Sequence, residues 1–226
     1  MKRHRLSTRL WHWANALAIV VLFMSGLNIS NAHRYLYWGD YGFDPADAWT
    51  SVVRFPWWST LPMSKNLAGA RDWHTLAAWI FALGLLFGWT AMLVNGHFRK
   101  DIATSAKEWS PRALVREIYA HLQGKFDRQH SKYNSLQKIS YGAVYGILLP
   151  MMVFTGLAIS PGFEPAAPWL VDVLGGRQSA RSLHFIFAWA VFAFFVIHIV
   201  MVLLSGPVTQ LRAMITGGKP ERKHRG

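Results

Sequence analysis

Four runs of apolar residues punctuate the chain, each about as long as the hydrocarbon core of a bilayer is thick. The clearest covers residues 183–204, which contain no Asp, Glu, Lys or Arg and whose only ionisable side chains are His184 and His198. Fourteen helical steps return to within about 40° of their start and climb about 21 Å. The two histidines therefore share one face of one helix, near opposite sides of the membrane. Ionisable groups at such depth are costly and mark function. The other runs are 10–29, 73–94 and 139–159, so helices are expected at about 8–30, 72–95, 138–160 and 181–205. The first follows a basic start, but it is long for the apolar core of a cleaved leader and no small-residue cleavage site follows it. It is read as a span, with Ser7 or Thr8 as N-cap.

The polar connections differ from one another. Residues 31–71 form a long loop rich in Trp, Tyr, Pro and Asp, including Trp57 and Trp58. Loops this long are usually functional, and its aromatic content suits a membrane surface, as an interfacial belt or a binding site. Residues 96–137 are strongly basic. Within them Ser110-Pro111 opens an amphipathic helix that sets Leu114, Ile118 and Leu122 beside Arg112 and Arg116, suited to an anionic membrane face. A short connection, 160–181, precedes the last span. After it come Gly206-Pro207, a short amphipathic piece and a basic tail, 217–226, expected to be disordered. Gly84/Gly88 and Gly142/Gly146 have the spacing that admits either a neighbouring helix or a flat cofactor.

Lys and Arg concentrate at the N-terminus, in 96–137 and in the tail, which places those segments in the cytoplasm. The expected fold is an all-α membrane protein: a four-transmembrane-helix bundle in one domain, 1–216. Both termini are cytoplasmic, with a cytoplasmic amphipathic helix and a long outer loop, 31–71. Depth then sorts the histidines. His12 enters from the cytoplasmic side and His74 from the outer side, so His12 pairs with His198 and His74 with His184. Neutral imidazole is a standard axial ligand of haem iron, and two such pairs would hold two haems. His4, His33, His97, His121, His130 and His224 fall in connections or tails and are read as solvated.

Composition narrows the chemistry. The 226 residues are 52% hydrophobic, include 12 Trp and contain no cysteine. That excludes Cys-ligated iron–sulfur clusters, covalently attached haem and disulfides. The net charge of +13 lies outside the apolar runs and accompanies no nucleic-acid-binding motif, so membrane lipid rather than nucleic acid is the expected partner. A proton relay of histidines would be the non-redox alternative. Arginine forks suit haem propionates: Arg5 and Arg9 on the inner side, Arg71, Arg177 and Arg181 on the outer.

Arg9-Leu10-Trp11-His12-Trp13 resembles the R-x-x-H-W signature that opens the first helix of bacterial di-haem b-type cytochromes, the cytochrome b561 type. These are membrane subunits of nickel–iron hydrogenases, formate dehydrogenases and thiosulfate reductases. The His184/His198 spacing is similar to that family's fourth helix, and the resemblance covers nearly the whole chain. Ala70 to His74 and Lys132 to Lys138 look closest to the thiosulfate-reductase-type branch. The resemblance implies two haem b groups carrying electrons between quinone and a periplasmic oxidoreductase subunit, of molybdenum-cofactor or hydrogenase type, at the bacterial inner membrane. It also implies a quinone site near the cytoplasmic haem. Asn134, Gln137 and Lys138 stand at that point, although Asn134 could equally cap a helix and Lys138 could snorkel to headgroups. Short relatives that act alone as superoxide:quinone oxidoreductases are the alternative.

Overall fold

The computed structural model describes residues 6–94, 115, 140, 142–204 and 206–217. Among them, three helices are long and apolar enough to cross a membrane: α1, Leu6–Ala32; α2, Leu67–Val94; and α5, Arg177–Leu204. At 27 and 28 residues each rises about 40 Å, enough for the hydrocarbon core and part of the headgroups. Large apolar side chains such as Leu83, Ile197 and Leu203 lie exposed on their surfaces, as a lipid-facing surface requires.

The third apolar run is less regular than its composition suggests. Val144–Leu148 form a π-helical stretch that leads into α3, Leu149–Ala158. Pro150 accounts for it: proline has no N–H for the carbonyl four residues back, and its ring crowds that carbonyl. The helix starts also shift. α1 is already helical at Leu6, so Ser7 and Thr8 sit inside its first turn rather than capping it. α2 begins at Leu67, several residues before its apolar run, because the Asn66 side chain accepts a bond from the Gly69 N–H at 2.8 Å and caps that end. Of the amphipathic helix expected after Pro111, Val115 is helical and the rest lies outside the described residues. So do Asn134, Gln137, Lys138 and the basic tail beyond Gly217.

By its contacts the chain divides into two compact units: Met1–Gly84 with Thr155–Gly226, and Leu85–Phe154. The first holds the long loop, which is more ordered than its composition suggests. Two short strands, β1 (Tyr35–Leu36) and β2 (Thr50–Ser51), pair antiparallel, and Asp44 caps a 3-10 turn at Pro45–Asp47. The loop is stitched to α1, where Asn31 exchanges two bonds with the Phe55 backbone and Asn28 donates to the Pro62 and Ser64 carbonyls. Its other anchor is the start of α5. The Gly39 carbonyl accepts from the Gln178 and Ser179 N–H groups at 2.9 and 3.1 Å, answering two of the donors that every helix leaves open. The buried Ser182 hydroxyl donates to the Tyr37 carbonyl at 2.6 Å and accepts from the Trp49 indole at 3.0 Å.

Between Val173 and α5 the chain turns through Gly175 and Gly176, both at positive φ, after a short helix α4, Trp169–Val173. Arg177 pairs with Glu164 and donates to the Ile159 carbonyl, which ties this turn to the end of α3. Beyond α5, Gly206 and Gly217 bracket α6, Pro207–Thr216, again at positive φ. Its last carbonyls accept bonds from α1, with Arg9 on Ile215 at 2.6 Å and the Trp13 indole on Met214 at 3.2 Å.

Gly176 is the tightest point of the loop contact. A Cβ there would lie 2.5 Å from the Gly39 carbonyl carbon and would sit at φ +104°. Gly176→Ala is therefore expected to lower the thermal midpoint in detergent, by the equivalent of about 1–3 kcal/mol. Gly162→Ala, whose Cβ meets nothing within 4 Å, is expected to leave it unchanged.

Candidate functional site

The chemistry-bearing side chains of the first unit gather at two places along α5. At its start, the His184 and His74 rings face one another with centroids 6.2 Å apart. Towards its end, the His198 and His12 rings lie 6.4 Å apart. Both pairs match the sorting by depth. An imidazole nitrogen sits about 2 Å from a first-row metal and its ring centroid about 1 Å further, so two imidazoles across one iron have centroids about 6 Å apart. Both spacings fit one metal atom between two rings. Among the described residues no group of three or more His, Cys, Asp or Glu gathers in the manner of a multidentate ion site. Two-histidine ligation leaves the remaining positions to a planar macrocycle.

The His74–His184 pair has a built surround. His74 Nδ1 lies 2.9 Å from the Ser25 hydroxyl on α1, and that hydroxyl lies 2.6 Å from the Val21 carbonyl. A carbonyl can only accept, so the serine spends its proton there and accepts from Nδ1. The His74 proton is thus placed on Nδ1, and the Nε2 lone pair is left for a metal. On the other helix His184 Nδ1 lies 2.9 Å from the Thr155 hydroxyl of α3. Ser25 and Thr155 are both fully buried. Each is followed by a glycine packed under the same ring: a Cβ on Gly26 would come 3.6 Å from His74 Cε1, and one on Gly156 3.3 Å from His184 Cε1. A side chain at Gly156 would crowd its ring.

The His12–His198 pair is framed differently. The His198 ring stacks with Phe194 at 6.2 Å and the His12 ring meets Trp13 edge-on at 5.3 Å. Nearby on α1, the Trp11 indole donates to the Gly84 carbonyl at 2.7 Å. A Cβ on Gly84 would come 2.9 Å from the Asn15 amide, so Gly84 serves helix packing. A Cβ on Gly142 or Gly146 would meet nothing within 4 Å.

The arginines divide. Arg9 gives one N–H to the end of α6, while its Nε is buried with no hydrogen-bond partner among the described residues, an open donor suited to a carboxylate. Arg177 is committed to Glu164 and the end of α3. Arg71 and Arg181 stand one turn before His74 and His184, and Arg71 lies 3.2 Å from His33 Nε2. His33 is half-buried, and this contact engages its ring at an exposed edge. Burial, then Arg181 and Arg71, hold its pKa below the ordinary imidazole value. His4, His97, His121, His130, His224 and Arg5 lie outside the described residues. The donor set, the ring spacings, the glycine cradles and the open Arg9 Nε together fit a haem.

The residues that sequence reasoning passed over are Ser25, Gly26, Thr155, Gly156 and His33. A hydroxyl followed at once by glycine, inside two apolar runs, is the signal that could have found the first four.

Comparison with known proteins agrees. Over 212 residues the chain is 32% identical to a chain named as the protein-methionine-sulfoxide reductase subunit YedZ1 of Azospira oryzae, covering 92% of this chain and 93% of that one. It is 25% identical over 224 residues to a chain named as a Ni/Fe-hydrogenase B-type cytochrome subunit of Cupriavidus necator, covering 92% and 82%. No solved structure matches significantly. The family model for prokaryotic cytochrome b561 matches residues 3–217, and the chain belongs to that family of membrane electron-transport cytochromes.

Proposed function

We propose that the chain is the membrane subunit of a two-part oxidoreductase, with two haem b groups in bis-histidine sites linking quinone in the bilayer to a redox enzyme outside it. The observation that supports this best is the meeting of four histidines in two ring pairs, 6.2 and 6.4 Å apart. When bound, each haem iron supplies one-electron transfer. His74 and His184 hold the outer iron and His12 and His198 the inner one. Ser25 accepts from His74 Nδ1, which would leave its Nε2 lone pair for the iron, and Thr155 holds the Nδ1 side of His184. Gly26 and Gly156 leave room beside the rings. Arg71 and Arg181 take carboxylates at the outer site and Arg9 at the inner one.

Three contacts within the first unit support an alternating order of the spans. Ser25, late in α1, meets His74, early in α2. Thr155, late in α3, meets His184, early in α5. His12, early in α1, meets His198, late in α5. The basic segments then put both termini in the cytoplasm and the protein in the bacterial inner membrane. The long loop is on the outside, where its aromatic surface, with Trp38, Tyr41, Phe43 and Trp58 exposed, suits a docking partner. The relatives' names favour a redox enzyme as that partner, and the 32% identity to a reductase subunit favours a reductase that receives electrons over a hydrogenase. Quinone is placed beside the inner haem, with Asn134, Gln137 and Lys138 offering donors to its carbonyls.

Three outcomes are expected. A pyridine haemochrome assay on the purified chain gives two non-covalent b haems. His74→Ala removes the outer one and His12→Ala the inner one, each leaving the other's spectrum intact; one haem in the parent would end the reading. Ser25→Ala keeps the outer haem but releases it to a competing acceptor protein about 10–100-fold more readily, the usual cost of losing a partner behind a metal-bound histidine. Ser25→Thr restores retention. Gln137→Ala and Lys138→Ala slow quinone-dependent reoxidation of the reduced haems while both spectra persist; normal reoxidation in both variants would move the quinone site elsewhere.

A further inference from the structure

His33, Arg71 and Arg181 come from three different helix ends: just past α1, the first turn of α2 and the first turns of α5. Arg71 touches His33, Arg181 acts on its charge while donating to Gln178, and the two arginines each stand one turn before a histidine of the His74–His184 pair. Arg71 approaches His33 Nε2 at 3.2 Å, and a guanidinium can only donate. Nε2 is therefore the acceptor, and His33 is neutral with its proton on Nδ1. Arg71 and Arg181 are the charged groups that act on His33. Arg177, which acts on Arg181, is offset by its ion pair with Glu164. Arg34, next in the chain, is turned away to the Val52 carbonyl. Three nitrogen-rich side chains thus converge with no carboxylate among the described groups acting on His33. Such an arrangement is complementary to a ligand with two negative charges.

We propose that His33, Arg71 and Arg181 form a clasp for the two propionates of the outer haem, and that His33 binds a proton from the outer solvent when that haem is reduced. The proposal rests on the bis-histidine reading above. Its chemistry follows from charge. A carboxylate taken up by Arg71 draws that guanidinium off Nε2, so the nitrogen is free to take a proton, and once protonated it donates to the same carboxylate. One electron then enters the iron, from quinol or an electrode, and one proton enters Nε2 of His33. The iron's charge falls by one as that of the imidazole rises by one, so the local charge is unchanged. The oxidised iron, carrying one more positive charge, repels the proton; the reduced iron does not. Electron and proton uptake are therefore linked, each favouring the other to the same degree.

The test is a spectroelectrochemical titration of the purified full chain between about pH 5.5 and 8.5, the range where an imidazole changes charge. His74→Ala and His12→Ala identify the two haem signals. The outer potential of the parent is expected to fall as pH rises, by at most about 59 mV per pH unit, the limit for one proton per electron. The inner potential is expected to stay level. His33→Gln keeps a polar side chain but cannot titrate, and the outer haem that this variant retains is expected to give a level curve. Selective loss of the outer haem in that variant would uphold the clasp and leave the proton to the parental slope. A level outer curve in the parent would overturn the proposal without any variant, and so would a sloping outer curve in His33→Gln. A preparation holding no haem would instead overturn the bis-histidine reading itself.

Discussion

An imidazole inside a membrane helix has two nitrogens to account for, and the hydrocarbon around it offers nothing to either. In this chain that constraint organises the bundle. His74 gives Nδ1 to Ser25, and the Thr155 hydroxyl lies at hydrogen-bonding distance from His184 Nδ1, so the Nδ1 side of each of these two rings meets a hydroxyl on a different neighbouring helix. A hydroxyl reaches only one bond length, which brings the backbones close. Glycine at the next position, Gly26 or Gly156, leaves the ring room beside the neighbouring helix. The same residues that orient the rings therefore set the spacing between helices. Exchanging either glycine for a larger residue would disturb the ring before it disturbed the lipid-facing surface.

The long loop extends this control to depth. Its hold on α5 falls on Gln178, Ser179 and Ser182, the turns immediately before His184. A helix can slide along its axis in a bilayer at little cost if only apolar contacts hold it. Backbone bonds from Gly39 and the shared Ser182 hydroxyl remove that freedom. With α5 pinned at one end, the position of His198, fourteen residues on, follows from the helical rise alone. The long loop therefore fixes α5 along its axis relative to the segment before α2.

Much of this was legible in the sequence, and the part that was not has a physical cause. The three long apolar helices, the shared face of His184 and His198, and the pairing of His12 with His198 and His74 with His184 follow from periodicity and position along the chain, which depend on one helix at a time. Ser25 and Thr155 did not stand out because a lone hydroxyl in an apolar helix usually bonds its own backbone, as Ser25 also does. Its second bond, to another helix, is a tertiary fact. Gly84 was correctly given packing as one of two roles; Trp11 and Asn15 on α1 decide between them. The early start of α2 hung on Asn66, whose capping bond lies outside the apolar run. His33 was read as solvated because it sits one residue past the end of α1, where a histidine ordinarily meets water. Folding brings Arg71 and Arg181 to it from segments 38 and 148 residues away.

The two histidine pairs are unequal, and the inequality has a direction. The His74–His184 pair, the outer one under the proposed orientation, combines hydroxyl partners, a glycine beside each ring, basic side chains one turn away and a hydrogen-bonded loop at the same helix end. The inner pair has Phe194 and Trp13 as ring neighbours, and Arg9 is shared with the end of α6. More donors and more positive charge around a bound haem favour its reduced form. On that ground the outer site would carry the higher potential of the two. The slope across the bundle would come from side chains at the ends of α1, α2 and α5 rather than from the histidines, which are the same residue type in all four places.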